Sequence, residues 1–187
     1  MSFPGEVMTP IGRELSSGER VLWNGQPRQG VGLSAGDVYM IPFSLLWGGF
    51  AIFWEWSVLN SGAPIFFALW GIPFVGVGLY MIFGRFFVEA WQRSRTYYAV
   101  TNERILIIDG GFKTTVRSVS LRSLTDMSLT ESAEGEGSIS FGASNLPAMF
   151  RNLSGWPGMK DRMGPVFDRI ADARRVRDLI QGAQKML

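Results

Sequence analysis

The chain has 187 residues, a formal net charge of +2, and neither cysteine nor histidine. Those absences exclude disulfides, thiolate chemistry, zinc sites built from His and Cys, and Ser–His or Cys–His nucleophile pairs. Charge is unevenly placed: residues 38–84 carry Glu55 alone, and the other 33 charged residues lie on either side.

Residues 1–37 form a first segment. It opens Met-Ser-Phe-Pro-Gly, without the basic-then-apolar pattern of a secretory signal, so no cleaved leader is expected. Glu19 to Trp23 (ERVLW) is a short run closed by Asn24-Gly25 and Pro27, which predicts a strand or a hydrophobic foot ending in a turn. Trp23 then has two readings, an interfacial anchor or a residue packed on the main domain. Gly30, Gly32 and Gly36 loosen the chain before the next element.

Residues 38–92 hold two apolar runs, about 39–59 and 64–83, separated by Asn60-Ser61-Gly62-Ala63. At ~1.5 Å per residue, each reaches roughly 30 Å, the thickness of a bilayer's hydrocarbon core. Neither keeps the polar face of a surface helix. They predict a transmembrane helical hairpin with a juxtamembrane extension. Pro42 is expected in the first turn of helix one, and Pro73 to kink helix two. Gly48 and Gly49 on the first helix, with Gly76 and Gly78 on the second, are the candidate packing positions, because small residues let backbones approach. Gly76-Val77-Gly78 lies inside an apolar span and is no nucleotide loop. Glu55, near the end of its run and flanked by Trp54 and Trp56, is expected to snorkel to headgroups. Trp54, Trp56 and Trp91 are the candidate interfacial anchors.

Basic residues set the expected orientation. The hairpin turn has none; Arg13, Arg20 and Arg28 precede the hairpin, and Arg85, Arg93, Arg95 and Arg104 follow it. The positive-inside rule then places both termini in the cytoplasm. Arg85, Arg93, Arg95 and Arg104 are the candidate membrane-surface contacts. Residues 85–122 hold seven Arg or Lys against three Asp or Glu, so this part of the chain is basic.

Residues 93–187 change grammar. Tyr97 to Val100, Arg104 to Ile108, residues 113–121, Leu124 to Leu129 and Ser138 to Phe141 read as short strands separated by turns such as Thr101-Asn102 and Asp109-Gly110-Gly111. Residues 142–164 read as loop, with a strand around Ala148 to Phe150. Phe167, Ile170, Ala173, Val176, Ile180 and Ala183 recur at helical spacing and predict a closing helix from Pro165 to about Lys185. Asp126, Glu131, Glu134 and Glu136 are the densest carboxylates, and they sit around a turn where solvated acids are ordinary.

The ordered set Glu19-Arg20-Val21-Leu22-Trp23-Asn24-Gly25-Gln26-Pro27, a two-helix hairpin, Tyr98-Ala99-Val100-Thr101-Asn102-Glu103-Arg104-Ile105, Gly135 to Phe141, and Phe167 to Ile180 resembles small bacterial membrane proteins with a pleckstrin-homology-like (PH-like) domain, a family long listed as a domain of unknown function. The resemblance runs from about residue 15 to the C-terminus. It implies an α+β membrane protein: a two-helix transmembrane hairpin followed by a PH-like antiparallel β-barrel or sandwich, capped by a C-terminal α-helix. Phosphoinositide binding does not carry over, because the loop Thr101 to Arg104, taken as the one between the first two strands, is short and acidic at Glu103. The family brings no catalytic residues.

The expected function is therefore a non-catalytic docking or assembly module, anchored at the cytoplasmic face of a bacterial inner membrane, with both termini inside. No cofactor, metal or nucleic acid is expected. The expected partners are the lipid bilayer and a protein or a second copy of the chain. The alternative is a small integral-membrane accessory subunit whose hairpin is the working interface in transport or envelope stress.

Overall fold

A computed structural model describes residues 9–31, 37–131, 136–142 and 164–187. The expected strand around Ala148 to Phe150 lies outside them. The fold is α+β, with two apolar helices and two antiparallel sheets, and the chain divides into two compact units.

The first unit contains the sheets. Its four-stranded sheet has the order β1 (Val21–Gly25), β2 (Thr96–Thr101), β3 (Arg104–Gly110), β4 (Thr114–Ser120); the three-stranded sheet has β5 (Met127–Glu131), β6 (Glu136–Phe141), β7 (Val166–Ala171). Successive side chains of a strand point to opposite faces, so β2 and β3 divide their apolar residues between two sides. Tyr98, Val100, Ile105 and Ile107 join the main core, together with Ile139, Phe141, Phe167 and Ile170 of the second sheet. Ala99, Leu106 and Ile108 form a smaller cluster on the other face with Ile11 of the short helix α1 (Thr9–Gly12). Burial on both faces explains why Arg104 to Ile108 reads as a continuous apolar run.

The barrel expected from the sequence is not closed. At one corner the Arg28 N–H donates to the Arg169 carbonyl at 2.8 Å, yet β1 and β7 form no ladder, and the strands stay in two sheets. The first segment is not a separate N-terminal piece either. β1 pairs with β2 in register Trp23↔Val100 and Gly25↔Tyr98, so residues 21–25 belong to the same sheet as residues 96–120.

The closing helix is shorter than expected. Val166–Ala171 is strand, and only α5 (Ala173–Gln184) is helical. The helical spacing that suggested otherwise comes from a β-bulge. Gly137 pairs with Ile170 while Ile139 pairs with Phe167, so β7 carries one extra residue, and Arg169 there has φ +47°. The insertion turns Phe167 and Ile170, three apart, to the same side. Both are fully buried and lead into Ala173, Val176, Ile180 and Ala183 of α5. The Gln184 side-chain amide donates to the Leu121 and Leu124 carbonyls, both at 2.9 Å, and fixes the end of α5 to the connector between the sheets.

The second unit is the hairpin. α2 (Asp37–Asn60) is followed by α3 (Ile65–Leu79), a π-helical turn (Tyr80–Gly84) and α4 (Arg85–Ser94), the last three forming one run, Ile65–Ser94. α2 starts before the expected Tyr39, at the acidic residue Asp37, which suits a helix N-terminus. Pro42 therefore falls in the second turn. Both helices are long and apolar enough to cross a membrane.

Candidate functional site

Within the hairpin, each helix presents a narrow seam. On α2 it runs through Asp37, Ser44, Gly48, Ala51 and Glu55; on its partner through Ala68, Gly71, Gly78, Ile82 and Arg85. Steps of three, four and seven residues are those of an antiparallel coiled-coil-like contact. A Cβ on Gly78 would lie 2.8 Å from the Gly48 Cα, so the backbones touch there. Gly49 and Gly76 have nothing within 4 Å of an added Cβ and lie off the seam. The outer positions carry large exposed apolar side chains such as Leu46, Phe50, Leu69 and Ile72.

Both acidic residues of α2 are on the seam. Glu55 does not reach outward as expected; its Oε2 is buried without a hydrogen-bond partner, where a Cβ on Gly71 would collide with it. Glycine at 71 makes the room. At the open end, Arg85 is 5% exposed, lies with Nη1 2.9 Å from Asp37 Oδ1, and stacks at 4.5 Å over the Phe86 ring. Arg85 is thus an internal partner of Asp37 rather than an exposed contact. The sequence held a signal for this pairing, because Gly71, Gly78 and Arg85 are seven apart, as are Asp37, Ser44 and Ala51. Trp54 turns toward Gly71 and, with Trp47, Phe50, Ala51, Trp70 and Phe74, lines an apolar recess of about 210 Å³. Trp56 is 61% exposed.

In the β-sheet unit, Arg104 is also engaged internally. Its Nε and Nη2 donate to Glu19 Oε1 and Oε2 at 2.9 and 2.8 Å, and Nη2 also donates to the Glu14 carbonyl at 2.8 Å. Thr101, fully buried, donates its hydroxyl to Glu19 Oε1 at 2.7 Å and accepts from the Glu103 and Arg104 N–H groups. Arg104's hydrogen bonds hold the Glu19 carboxyl down at about 2, against the opposing effect of burial. Arg20 and Asn102 exchange two further bonds, Arg20 N–H to Asn102 Oδ1 at 2.7 Å and Asn102 N–H to the Arg20 carbonyl at 3.1 Å. The ERVLW and YAVTNER segments, separated by the whole hairpin in sequence, therefore lock to one another. In the sequence Glu19 stands only as the first residue of the ERVLW run, with no partner in view.

Thr101 to Arg104 is the β2–β3 turn, so it is not the loop between the first two strands. That loop runs from β1 to β2 and contains the hairpin. Its two ends lie together: Arg93 Nη1 donates to the Gly30 carbonyl at 3.2 Å, and the Gln29 side chain donates to the Arg93 carbonyl at 3.3 Å. Arg95 is exposed and lies 4.6 Å over the Trp91 ring, which in turn is 5.1 Å from Phe112. Trp23 packs into the main core, 5.6 Å from Phe167.

The acidic residues near the β5–β6 turn are engaged in ion pairs. Glu131 meets Arg174 at 2.5 Å and Glu136 meets Arg28 at 2.5 Å, while Glu134 lies outside the described residues. Among the described residues, Arg95, Phe112 and Lys113 are exposed, while Asp37 and Glu19 are buried against Arg85 and Arg104. Comparison with known protein families, with curated proteins and with solved structures found no match to this chain.

Proposed function

We propose that this chain is an integral membrane protein whose hairpin anchors a non-catalytic docking or assembly module of the PH-like kind at the cytoplasmic face of a bacterial inner membrane. The observation that carries the reading is the insertion of two apolar helices between paired strands β1 and β2 of one domain. The apolar windows of these helices are only 22% and 17% buried, whereas the core helix of a soluble domain is mostly buried. An open apolar surface of that extent needs lipid or another apolar cover. Support for the PH-like assignment is the succession of four strands, three strands and a C-terminal helix packed on the core. Support for the orientation is the absence of Arg and Lys from the hairpin turn and their presence at both ends of the hairpin.

The test compares detergent-solubilised full chain with a hairpin-deleted chain, residues 1–30 joined to 91–187, as bait for membrane extracts. A protein retained by both places the docking activity in the β-sheet unit. A protein retained by the full chain alone moves the function into the hairpin.

That second reading has its own observation. Glu55 brings an unpartnered, buried carboxylate oxygen into an otherwise apolar seam, and an ionisable group in such a span is a functional candidate. In this reading the hairpin is the working surface of an accessory subunit. Glu55→Gln would then change function in the full chain while leaving the hairpin-deleted chain's binding untouched.

A further inference from the structure

The β3–β4 turn places a large aromatic side chain where small or polar residues are usual. Phe112 is 81% exposed. It is not loose: its ring lies 5.1 Å from the Trp91 ring, and Arg95 covers Trp91 at 4.6 Å. The turn itself is held, because the Gly110 N–H donates to the Arg95 carbonyl at 2.9 Å. A Cβ at Gly110 would lie 2.7 Å from that same carbonyl oxygen, so only glycine permits the approach. Lys113, next to Phe112, is exposed, as is Arg95. Asp109, the acid at the base of the turn, accepts from the Thr96 hydroxyl at 3.2 Å. The result is a knob of two aromatic rings bordered by two cations.

We infer that Phe112, Lys113, Trp91 and Arg95 form a second, peripheral membrane contact that seats in the headgroup layer of an anionic leaflet. The inference rests on the proposed membrane anchorage and names the surface the β-sheet unit would use. Two observations point to lipid. Trp91 lies in a helix continuous from Ile65 to Ser94, about two turns past Phe83 at the end of the apolar run, and Arg95 is the residue after that helix. Aromatic rings with a polar or cationic edge are also the side chains that concentrate at headgroup depth. Arg95 and Lys113 would meet lipid phosphates while the Phe112 ring enters the acyl boundary. Each cation contributes about fivefold to the docked population on an anionic surface.

The cysteine-free sequence makes the test direct. Single cysteines carrying an environment-sensitive fluorophore are placed by Thr114→Cys beside the knob, by Thr125→Cys beyond the far end of β4, and by Leu69→Cys on the outer face of α3. The full chain is reconstituted into nanodiscs of neutral lipid or of lipid with a third anionic phosphatidylglycerol, and iodide quenching is read. The expected result is several-fold shielding at 114 in anionic over neutral discs, with 125 unchanged. Phe112→Ser with Lys113→Gln should abolish that shielding without unfolding the protein, since both side chains are exposed. A 114 label equally open in both lipids, or shielding that survives the double substitution, overturns the inference. A Leu69 label shielded from iodide in the same sample shows that anchorage stands and only the knob has failed. An open Leu69 label overturns anchorage and knob together.

Discussion

Arg85 Nη1 lies 2.9 Å from Asp37 Oδ1, with both side chains 6% exposed, and the pair ties the first turn of α2 to the start of α4. An ion pair this buried is costly to create and more costly to break, because the remaining partner is left as an uncompensated charge. Asp37→Asn or Arg85→Gln should destabilise the hairpin by roughly 3 kcal/mol. The exchange Asp37→Arg with Arg85→Asp should recover part of the loss. Thermal unfolding of the full chain in detergent, followed by helical circular dichroism, measures all three.

The glycines of the hairpin should separate into two classes. Gly78→Val adds atoms where a Cβ already meets the Gly48 backbone at 2.8 Å, so the helices must part, at a cost of about 2 kcal/mol. Gly76→Ala places a methyl in open space and should be neutral or stabilising by up to ~1 kcal/mol. Melting temperatures of the two variants in one detergent decide it. Equal losses would show that residue 78 is not at the seam.

Glu19 predicts an acid dependence of the β-sheet unit. Its carboxyl is held at about 2 rather than the ordinary 4.5, so its contribution is fully present above pH 4.5 and disappears as the pH falls toward 2. At neutral pH, Glu19→Gln should cost roughly 3 kcal/mol, since it leaves Arg104 without its acid. The difference between wild type and variant should narrow across pH 4.5 to 2. Urea unfolding of the hairpin-deleted chain at several pH values reads that narrowing.

The position of β1 predicts which fragment folds. Residues 95–187 lack the strand that pairs with β2, the Trp23 ring against Phe167, and the acid for Arg104. That fragment should aggregate or remain partly unfolded. Residues 1–30 joined to 91–187 by a few glycines should be soluble and unfold cooperatively, because Gly30 and Arg93 are already in hydrogen-bond contact. Size-exclusion elution and amide hydrogen exchange compare the two.

Phe167 is the centre of the main core, stacked at 4.7 Å on Tyr98 and edge-on at 4.9 Å to Phe141. Phe167→Ala should cost 3 kcal/mol or more. Arg169→Gly should cost little, since glycine takes the positive φ of the bulge more readily than arginine does. A helix running through 165–172 would instead make Arg169→Gly cost about 1 kcal/mol.

Some misreadings share a cause. Phe167 and Ile170 are three apart in a strand because a bulge adds a residue to β7, and spacing alone cannot distinguish that from a helical turn. Glu19 is only the first residue of the ERVLW run until β1 is set against β2, with Arg104 85 residues away. Glu55 sits between two tryptophans, which suggests an outward-reaching carboxylate, yet rotation about the helix axis carries it inward over Gly71. In each case the deciding contact is distant in the chain.

The sequence by itself determined what depends on local chemistry. Runs of some twenty apolar residues make two long helices whatever surrounds them, and short β-rich runs between Gly and Asn turns make antiparallel strands. Lack of His and Cys closes off whole classes of chemistry. Tertiary structure decided which charges are free. Arg85 and Arg104, basic residues like any other in the sequence, are drawn inward by Asp37 and Glu19, while Arg95 stays exposed beside Trp91 and Phe112. The physical reason is that burying an arginine is costly unless an opposite charge meets it, and for Arg85 and Arg104 that partner is supplied by the fold rather than by neighbours in sequence.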